Sequence, residues 1–397
     1  MTATKKQREQ FLQILKQVYT NGPISRVDIA HQTGITQAIT GKIVGNLIDD
    51  GLVNEVGETT PTRPGSGRRR TLLALVGGRS YYVGSELSEW AFTFSLVDNA
   101  GNVVLQQHRD IDASRRGVFI NATNYRKLLI DFLAECADYH PVALGIALPG
   151  HFNAERNDIW SSHPLWREFD LKAATHDLPL PVFMENNVHT MAIAAHLVGK
   201  PHPGDNFTFF HVGRGIFSSY MHNGSIHGID NYSVGEIGHT IVNPAGQLCE
   251  CGRRGCLQTY SSEGSIIRHS QTLYRSTTQT YLRQIDNDAS QITIQDVLRA
   301  YSLGDDGVTS ILDNAMKYIA ETINNLSIML DSRHLVLHGR IFQPESLAKL
   351  LKGYLQQNAF LINGTTMQPV TIAPYGLNDG ADAAAVMALE RHVFTAK

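Results

Sequence analysis

The sequence predicts an α/β protein with a small helical head and a two-lobed body. Three observations predict it. Residues 1–79 carry 11 Lys/Arg against 6 Asp/Glu, whereas the chain as a whole has a net charge of -3, so a basic head precedes an acidic body. Three short segments of helical period fill the first fifty residues. Beyond residue 80, strand-like apolar runs alternate with helical segments, the pattern of α/β architecture. A chain of 397 residues is too long for one core. The expected borders are 1–78 for the head, 79–200 for a first lobe completed by a C-terminal helix over 380–397, and 201–379 for a second lobe.

The head comes first. Residues 7–20 place apolar side chains at helical spacing, and Asn21-Gly22-Pro23 ends that helix. Ser25 caps a second helix over 26–32, closed by Gly34. Thr36 caps a third, running to about Asp50, whose buried stripe is expected at Ile35, Ile39, Ile43 and Leu47. Thr36, Gln37, Thr40 and Lys42 then lie near its N-terminal end, which a recognition helix presents to base edges in the major groove. A polar loop after Val53 leads into Arg68-Arg69-Arg70 and the apolar run 71–76. A β-wing is expected here, whose arginines can reach phosphates or the minor groove. The head is thus a winged helix-turn-helix for double-stranded DNA, and a basic head on an acidic body agrees with that.

Three strand-like runs open the body, at 81–89, 91–98 and 102–107, with a turn at 98–101. A helix follows at about 121–138, then a buried strand, Pro141–Pro149, ending at Gly150. Another strand at 181–184 precedes a helix over 187–198. The second lobe starts at Phe207–Gly213, carries helices from about 260 to 330, and has a late strand at 334–338. Ligands in such folds sit at the carboxyl ends of strands, in the crevice between lobes.

Three of the four cysteines fall within eight residues, and His239 stands ten positions before the first. His239, Cys249, Cys251 and Cys256 make a complete tetrahedral set for a structural zinc ion. Four protein ligands leave no open position for catalysis. No apolar run approaches the roughly 20 residues needed to span a bilayer, and the N-terminus lacks the apolar stretch of a signal peptide. The expectation is a cytoplasmic chain without membrane insertion, where clustered cysteines bind metal rather than form disulfides. The remaining histidines show no ligand spacing of comparable strength.

The winged helix-turn-helix, Glu236-x-Gly-His239 and Cys249-x-Cys-Gly-x-x-Gly-Cys256 together resemble the ROK (repressor, ORF, kinase) family of bacterial sugar kinases and sugar-responsive repressors. The resemblance runs from about residue 10 to the C-terminus. It implies an actin/hexokinase-like (ribonuclease H-like) body. The head places the chain in the repressor branch, similar to the xylose, glucose and N-acetylglucosamine repressors.

Where the family's kinases have Asp-x-Gly-Gly-Thr, this chain has Glu86-Leu-Ser-Glu89-Trp90. Where they have Gly-Thr-Gly-x-Gly-Gly-Gly, it has Gly213-Arg-Gly215-Ile-Phe-Ser-Ser219. Backbone cradling of phosphates needs those glycines. The general base of Glu-Asn-Asp is Asn187 in Glu185-Asn186-Asn187, and an amide cannot take the proton. The resemblance therefore implies a chain that is not an enzyme. It further implies that Gly150, His151, Asn186, Asn187, Glu236, His239 and Gln258 contact an effector. Asn187 and Gln258 stand where relatives carry carboxylates, so a sugar phosphate or sugar acid is the expected effector beside a neutral sugar. The expected function is a DNA-binding regulator, a repressor of carbohydrate-utilisation genes, acting as a homodimer or dimer of dimers. The alternatives are a sugar kinase with residual activity and a regulator controlled by a transporter protein.

Overall fold

The computed structural model describes residues 4–58, 69–112, 116–161, 163–362 and 366–395. They divide into two compact units, Met1–His202 with Leu377–Lys397, and Pro203–Gly376. The first unit holds both the head and the first lobe.

In the head, the helix Lys5–Asn21 starts two residues before the periodicity does. Thr4 is the reason: its side chain accepts from the Gln7 N–H while Gln7 Oε1 accepts from the Thr4 N–H, a reciprocal cap. Ser25 caps the helix Arg26–Thr33, which ends at Gly34 with φ +69°. The third helix is Gln37–Asp49. Strands β1 (Ile24–Ser25), β2 (Val53–Glu58) and β3 (Thr71–Leu75) form one sheet, with β2 and β3 antiparallel as a wing.

The buried stripe of the third helix corrects the expectation. Thr40 is 0% exposed and lies inside with Ile35, Val44 and Leu47, whereas Ile39 is 38% exposed. A spacing of four residues advances 40° per step on a helix of 3.6 residues per turn, so a strict i+4 series drifts off the core face. Thr40 therefore cannot touch DNA in this conformation, and its Oγ1 has no hydrogen-bond partner.

The first lobe is built on β4 (Tyr81–Leu87), β5 (Ala91–Asp98), β6 (Val103–Asp110), β7 (Ala143–Leu148) and β10 (Val182–Asn186), in the order β10-β7-β4-β5-β6. Strands β4, β7 and β10 are parallel, while β5 and β6 are antiparallel. A small hairpin, β8 (His151–Asn153) with β9 (Asp158–Trp160), follows β7. One sheet face packs on the helix Ala122–Glu135 through Phe92, Phe94, Tyr125, Leu129 and Phe132. The other meets the C-terminal helix Asp379–Glu390. Gly84 and Gly145 are cross-strand neighbours there, and a Cβ on either would overlap the Ala381 or Ala384 carbonyl. Two glycines facing an alanine-rich helix permit this close approach, which explains the Ala-Ala-Ala run of the sequence.

In the second unit, β11 (Phe207–Val212), β12 (Ile216–His222), β13 (Ser225–Ile226), β14 (Leu335–His338) and β15 (Val370–Ile372) run in the order β13-β12-β11-β14-β15. Strands β11, β14 and β15 are parallel, while β12 and β13 pair antiparallel, which repeats the topology of the first unit's sheet. The core lies between this sheet and the helices Glu263–Ser276, Asp306–Met329 and Glu345–Gln357. Among the described residues, no helix is long and apolar enough to cross a membrane.

Candidate metal centre and effector-binding groups

The cysteine loop folds as a knuckle on two isolated bridges, Ile241 with Cys256 and Leu248 with Arg254. The Cys249 N–H donates to the Arg253 carbonyl, and the Gly252 N–H donates back to Cys249. Gly255, at φ +70°, sits so tightly on the Asn243 carbonyl that a Cβ would overlap it. The turn brings His239, Cys249, Cys251 and Cys256 together, with all four ligand atoms within 4.8 Å of one another. His239 Nδ1 lies 3.6 Å from Cys249 Sγ, and Cys251 Sγ lies 3.7 Å from Cys256 Sγ. Three sulfurs and an imidazole nitrogen so arranged can hold a metal ion. Burial alone would raise the Cys251 thiol, but hydrogen bonds from the backbone and side chain of Arg253 and from its sibling thiols lower it to about 6.

Two expected effector groups border this cluster. Glu236 precedes the 3₁₀ turn Ile237–His239, and its Oε2 stands 4.0 Å from His239 Nε2. His239 thus turns one ring nitrogen to the sulfurs and the other to Glu236. Gln258 donates through Nε2 to Cys249 Sγ at 3.5 Å and to Glu250 Oε1 at 2.9 Å. A carboxylate at 258 has no proton to give that sulfur, so the amide supports the cysteine cluster.

The other expected effector groups lie in the first unit, at the carboxyl ends of β7 and β10. Gly150 admits no side chain, since a Cβ would lie 2.6 Å from the Trp160 carbonyl oxygen. His151 is buried, with its ring centroid 6.3 Å from that of His189. Asn186 caps the helix Asn187–Leu197, accepting from the Val188 and His189 N–H groups and donating to the Gly150 carbonyl. Most of its hydrogen-bonding capacity is therefore spent on the fold. Asn187 Nδ2 donates to Glu86 Oε1 at 3.3 Å.

Two carboxylates, Glu86 and Glu185, adjoin these groups. Burial pushes the Glu86 carboxyl up to about 7, opposed by the Asn187 hydrogen bond and assisted by Asp379. A second carboxylate at 187 would face it directly, so the amide removes a like-charge contact. Glu185 is buried, yet its carboxyl is held below the usual range. Burial works against this, but His189 Nδ1 at 3.2 Å, the Asn186 N–H at 2.9 Å and Arg391 outweigh it. Arg391 Nη2 stands 3.6 Å from Glu185 Oε2. The i,i+4 spacing of Glu185 and His189 was a readable signal, whereas Arg391 lies two hundred residues away in sequence.

The two stretches that match the family's phosphate loops carry side chains in place of most of the glycines. Glu89 is buried 3.5 Å from His163 Nε2, beside the half-exposed Trp90. The glycine loop shrinks to Gly213–Gly215, and Ile216 to Ser219 are buried in β12. At the ends of β11 and β14, His211 and His338 face each other with Nδ1 atoms 2.9 Å apart, and burial next to His338 drives the His211 imidazole down to about 3. No spacing rule exposed this pair, because strand register alone joins it.

On the head, Thr36, Gln37 and Lys42 are exposed on the third helix as expected. Arg69 lies 3.6 Å from Glu58 and Arg70 lies 2.7 Å from Asp28, so both guanidiniums already have acidic partners. Arg68 lies outside the described residues.

The ROK family model matches residues 83–391. The chain belongs to the ROK family. Among curated relatives it is similar to the xylose repressor of Bacillus subtilis (strain 168), 25% identical over 87% of this chain and 85% of that one. It is likewise similar to the DNA-binding transcriptional dual regulator NagC of Escherichia coli (strain K12), 25% identical over 82% and 79%. A solved ROK family transcriptional regulator, a homolog of the E. coli MLC protein, has a TM-score of 0.72 over 98% of both chains at 21% identity. That likeness speaks to the fold, an actin/hexokinase-like ROK body. The family includes kinases as well as repressors, so membership alone does not decide between them.

Proposed function

We propose that this ROK-family chain is a DNA-binding transcriptional regulator, a repressor of carbohydrate-utilisation genes that responds to a sugar or sugar-derived effector. The observation that carries the reading is the head: a wing, and a third helix whose Thr36, Gln37 and Lys42 are exposed opposite a continuous core. Relatives named as a xylose repressor and as a DNA-binding transcriptional dual regulator, matched over most of their length, support it. Lys42, Arg69 and Arg70 contact phosphates, with Arg68, and Thr36 and Gln37 approach base edges. The two arginines exchange their acidic partners for phosphate on binding, which lowers their net gain. As a homodimer, the protein takes two half-sites related by a two-fold axis. Genomic fragments captured by the purified chain test this: enrichment of two-fold-related sites beside sugar-utilisation genes is the expected outcome, and unenriched capture refutes the reading.

The body is not a kinase. Asn187 cannot serve as general base, and Glu89 and the residues of β12 occupy the positions of the former phosphate loops. Incubation with ATP and a panel of hexoses is expected to give no sugar phosphate, and its clear formation would overturn the reading.

The metal is zinc in a structural role. A tetrahedral zinc with Zn–S of about 2.3 Å and Zn–N of about 2.0 Å implies sulfur–sulfur edges of about 3.8 Å and sulfur–nitrogen edges of about 3.5 Å. The 3.7 and 3.6 Å separations found here fit both. Zinc bound by His239, Cys249, Cys251 and Cys256 would fix the loop carrying Glu236. The effector groups we assign are Gly150, His151, Asn186 and Asn187 in one unit and Glu236, His239 and Gln258 in the other. Cys251→Ala is expected to lose zinc, measured by elemental analysis, together with any sugar-dependent thermal shift. A metal-free protein with an intact shift sinks the link between zinc and effector.

A further inference from the structure

In the first unit, the carboxylate of Glu185 has partners on two sides. Oε1 accepts from the Asn186 N–H and faces His189 Nδ1, next to the groups assigned to the effector. Oε2 faces Arg391, the first residue of a five-residue π-helical segment, Arg391–Thr395, that extends the C-terminal helix. The same segment reaches the head. The Phe394 ring stands edge-on to Tyr19 of the helix Lys5–Asn21, with centroids 5.7 Å apart, and His392 packs against Tyr82 at 6.1 Å. Tyr19 is buried and donates its hydroxyl to the Asn99 carbonyl at 2.7 Å.

One apolar cluster runs without a break from Ile14, Leu15, Val18 and Tyr19 to Leu389, Val393 and Phe394, and it also takes in Leu197 and Val198. The helix Asn187–Leu197 is therefore engaged at both ends, by the Glu185–Asn186 cap at its start and by the head's first helix near its finish.

We propose that the segment Arg391–Thr395 couples the effector side of the first unit to the head, with the Glu185–Arg391 ion pair and the Phe394–Tyr19 contact as its two ends. What the two ends do rests on the function proposed above; the coupling itself does not. A ligand that repositions His189 or Asn186 changes the share of the Glu185 carboxylate left for Arg391. The segment passes that change three residues on to Phe394 and hence to the head's first helix. Packed segments of this kind shift between discrete arrangements rather than deform continuously. By linkage, a change at the head must act back on Glu185.

The test is amide hydrogen exchange on the full chain. Arg391→Met keeps the aliphatic bulk and removes the charge. It is expected to speed exchange within Lys5–Asn21 about fivefold or more, with Arg391→Lys restoring protection. Glu185→Gln should have the same effect, and the double variant should exceed neither single one, because both cut the same link. In the reciprocal variant, Phe394→Leu, the amides of Asn186–His189 should exchange faster. Exchange that rises only around each substituted residue, with the opposite end unchanged in all variants, overturns the proposal. If Arg391→Met does not fold, Phe394→Leu alone decides by the same criterion. Failure to capture DNA would refute the assigned function and leave these exchange results standing.

Discussion

Thr40 shows how a residue can be misread when period is taken as an integer. A buried hydroxyl without a partner is a cost, and its removal by a near-isosteric methyl relieves it. Thr40→Val is expected to raise the unfolding free energy of the first unit by about 1 kcal/mol and to leave DNA capture intact. Loss of DNA binding with unchanged stability would return Thr40 to the interface. Glu86 gives a signed dependence on pH. Its carboxyl titrates at about 7 when folded, above the ordinary 4.5. The folded state therefore binds the proton more tightly, and the stabilisation is complete below 4.5 and lost as pH rises through 7. Glu86→Gln keeps a neutral partner for Asn187 and should gain stability relative to wild type on going from pH 5 to pH 8, measured by denaturant melts at each pH. A constant difference across that range contradicts the shift. Glu86 was visible in the sequence only as a departure from a motif. Its burial against Gly380, at the start of the last helix, depends on a pairing of chain ends that no local pattern carries.

At the scale of elements, the helices and strands were legible wherever caps and periodicity agreed. Ser25 and Gly34 bracket the second helix, and the cysteine knuckle was complete from spacing alone. The short hairpin β8–β9 and the burial of Ile216–Ser219 in β12 were not, because brief apolar runs carry no period of their own. The third helix of the head also carries an unexplained pair of glycines. Gly41 and Gly45 lie four apart and away from the buried stripe, and a Cβ on either would meet nothing within 4 Å. Each costs the helix about 1 kcal/mol relative to alanine, and internal packing gives no return. Gly41→Ala and Gly45→Ala should therefore each stabilise the head by about 0.5–1 kcal/mol. If this face enters the groove, the added methyls also weaken DNA capture. Higher thermal stability with lower affinity is the expected pair of outcomes; destabilisation would mean that the glycines serve the fold.

For the whole molecule, the consequential feature is that the head is not strung on a linker. Val76, Gly78 and Arg79 are pinned to the β5–β6 turn: Asn99 donates to the Val76 carbonyl and accepts from the Arg79 N–H, and Asp98 accepts from the Gly78 N–H. With the apolar cluster that joins Tyr19 to Phe394, these bonds tie the head to one face of the first lobe's sheet, within a single compact unit. Cooperative units follow shared buried surface rather than sequence borders. Calorimetry of the full chain should therefore show no separate transition for the head, which should melt with the first lobe. Phe394→Ala, at the seam and only part-buried, should destabilise that joint transition by about 2 kcal/mol, less than the 3–5 kcal/mol of a fully enclosed phenylalanine. Exchange-monitored melting distinguishes the alternatives: if the amides of Lys5–Asn21 lose protection well below those of β4 and β7, the head is an independent domain and the seam is only a contact. A joint loss of protection means that the head's stability is set by the apolar cluster it shares with the first lobe, so that a ligand stabilising that cluster also stabilises the head.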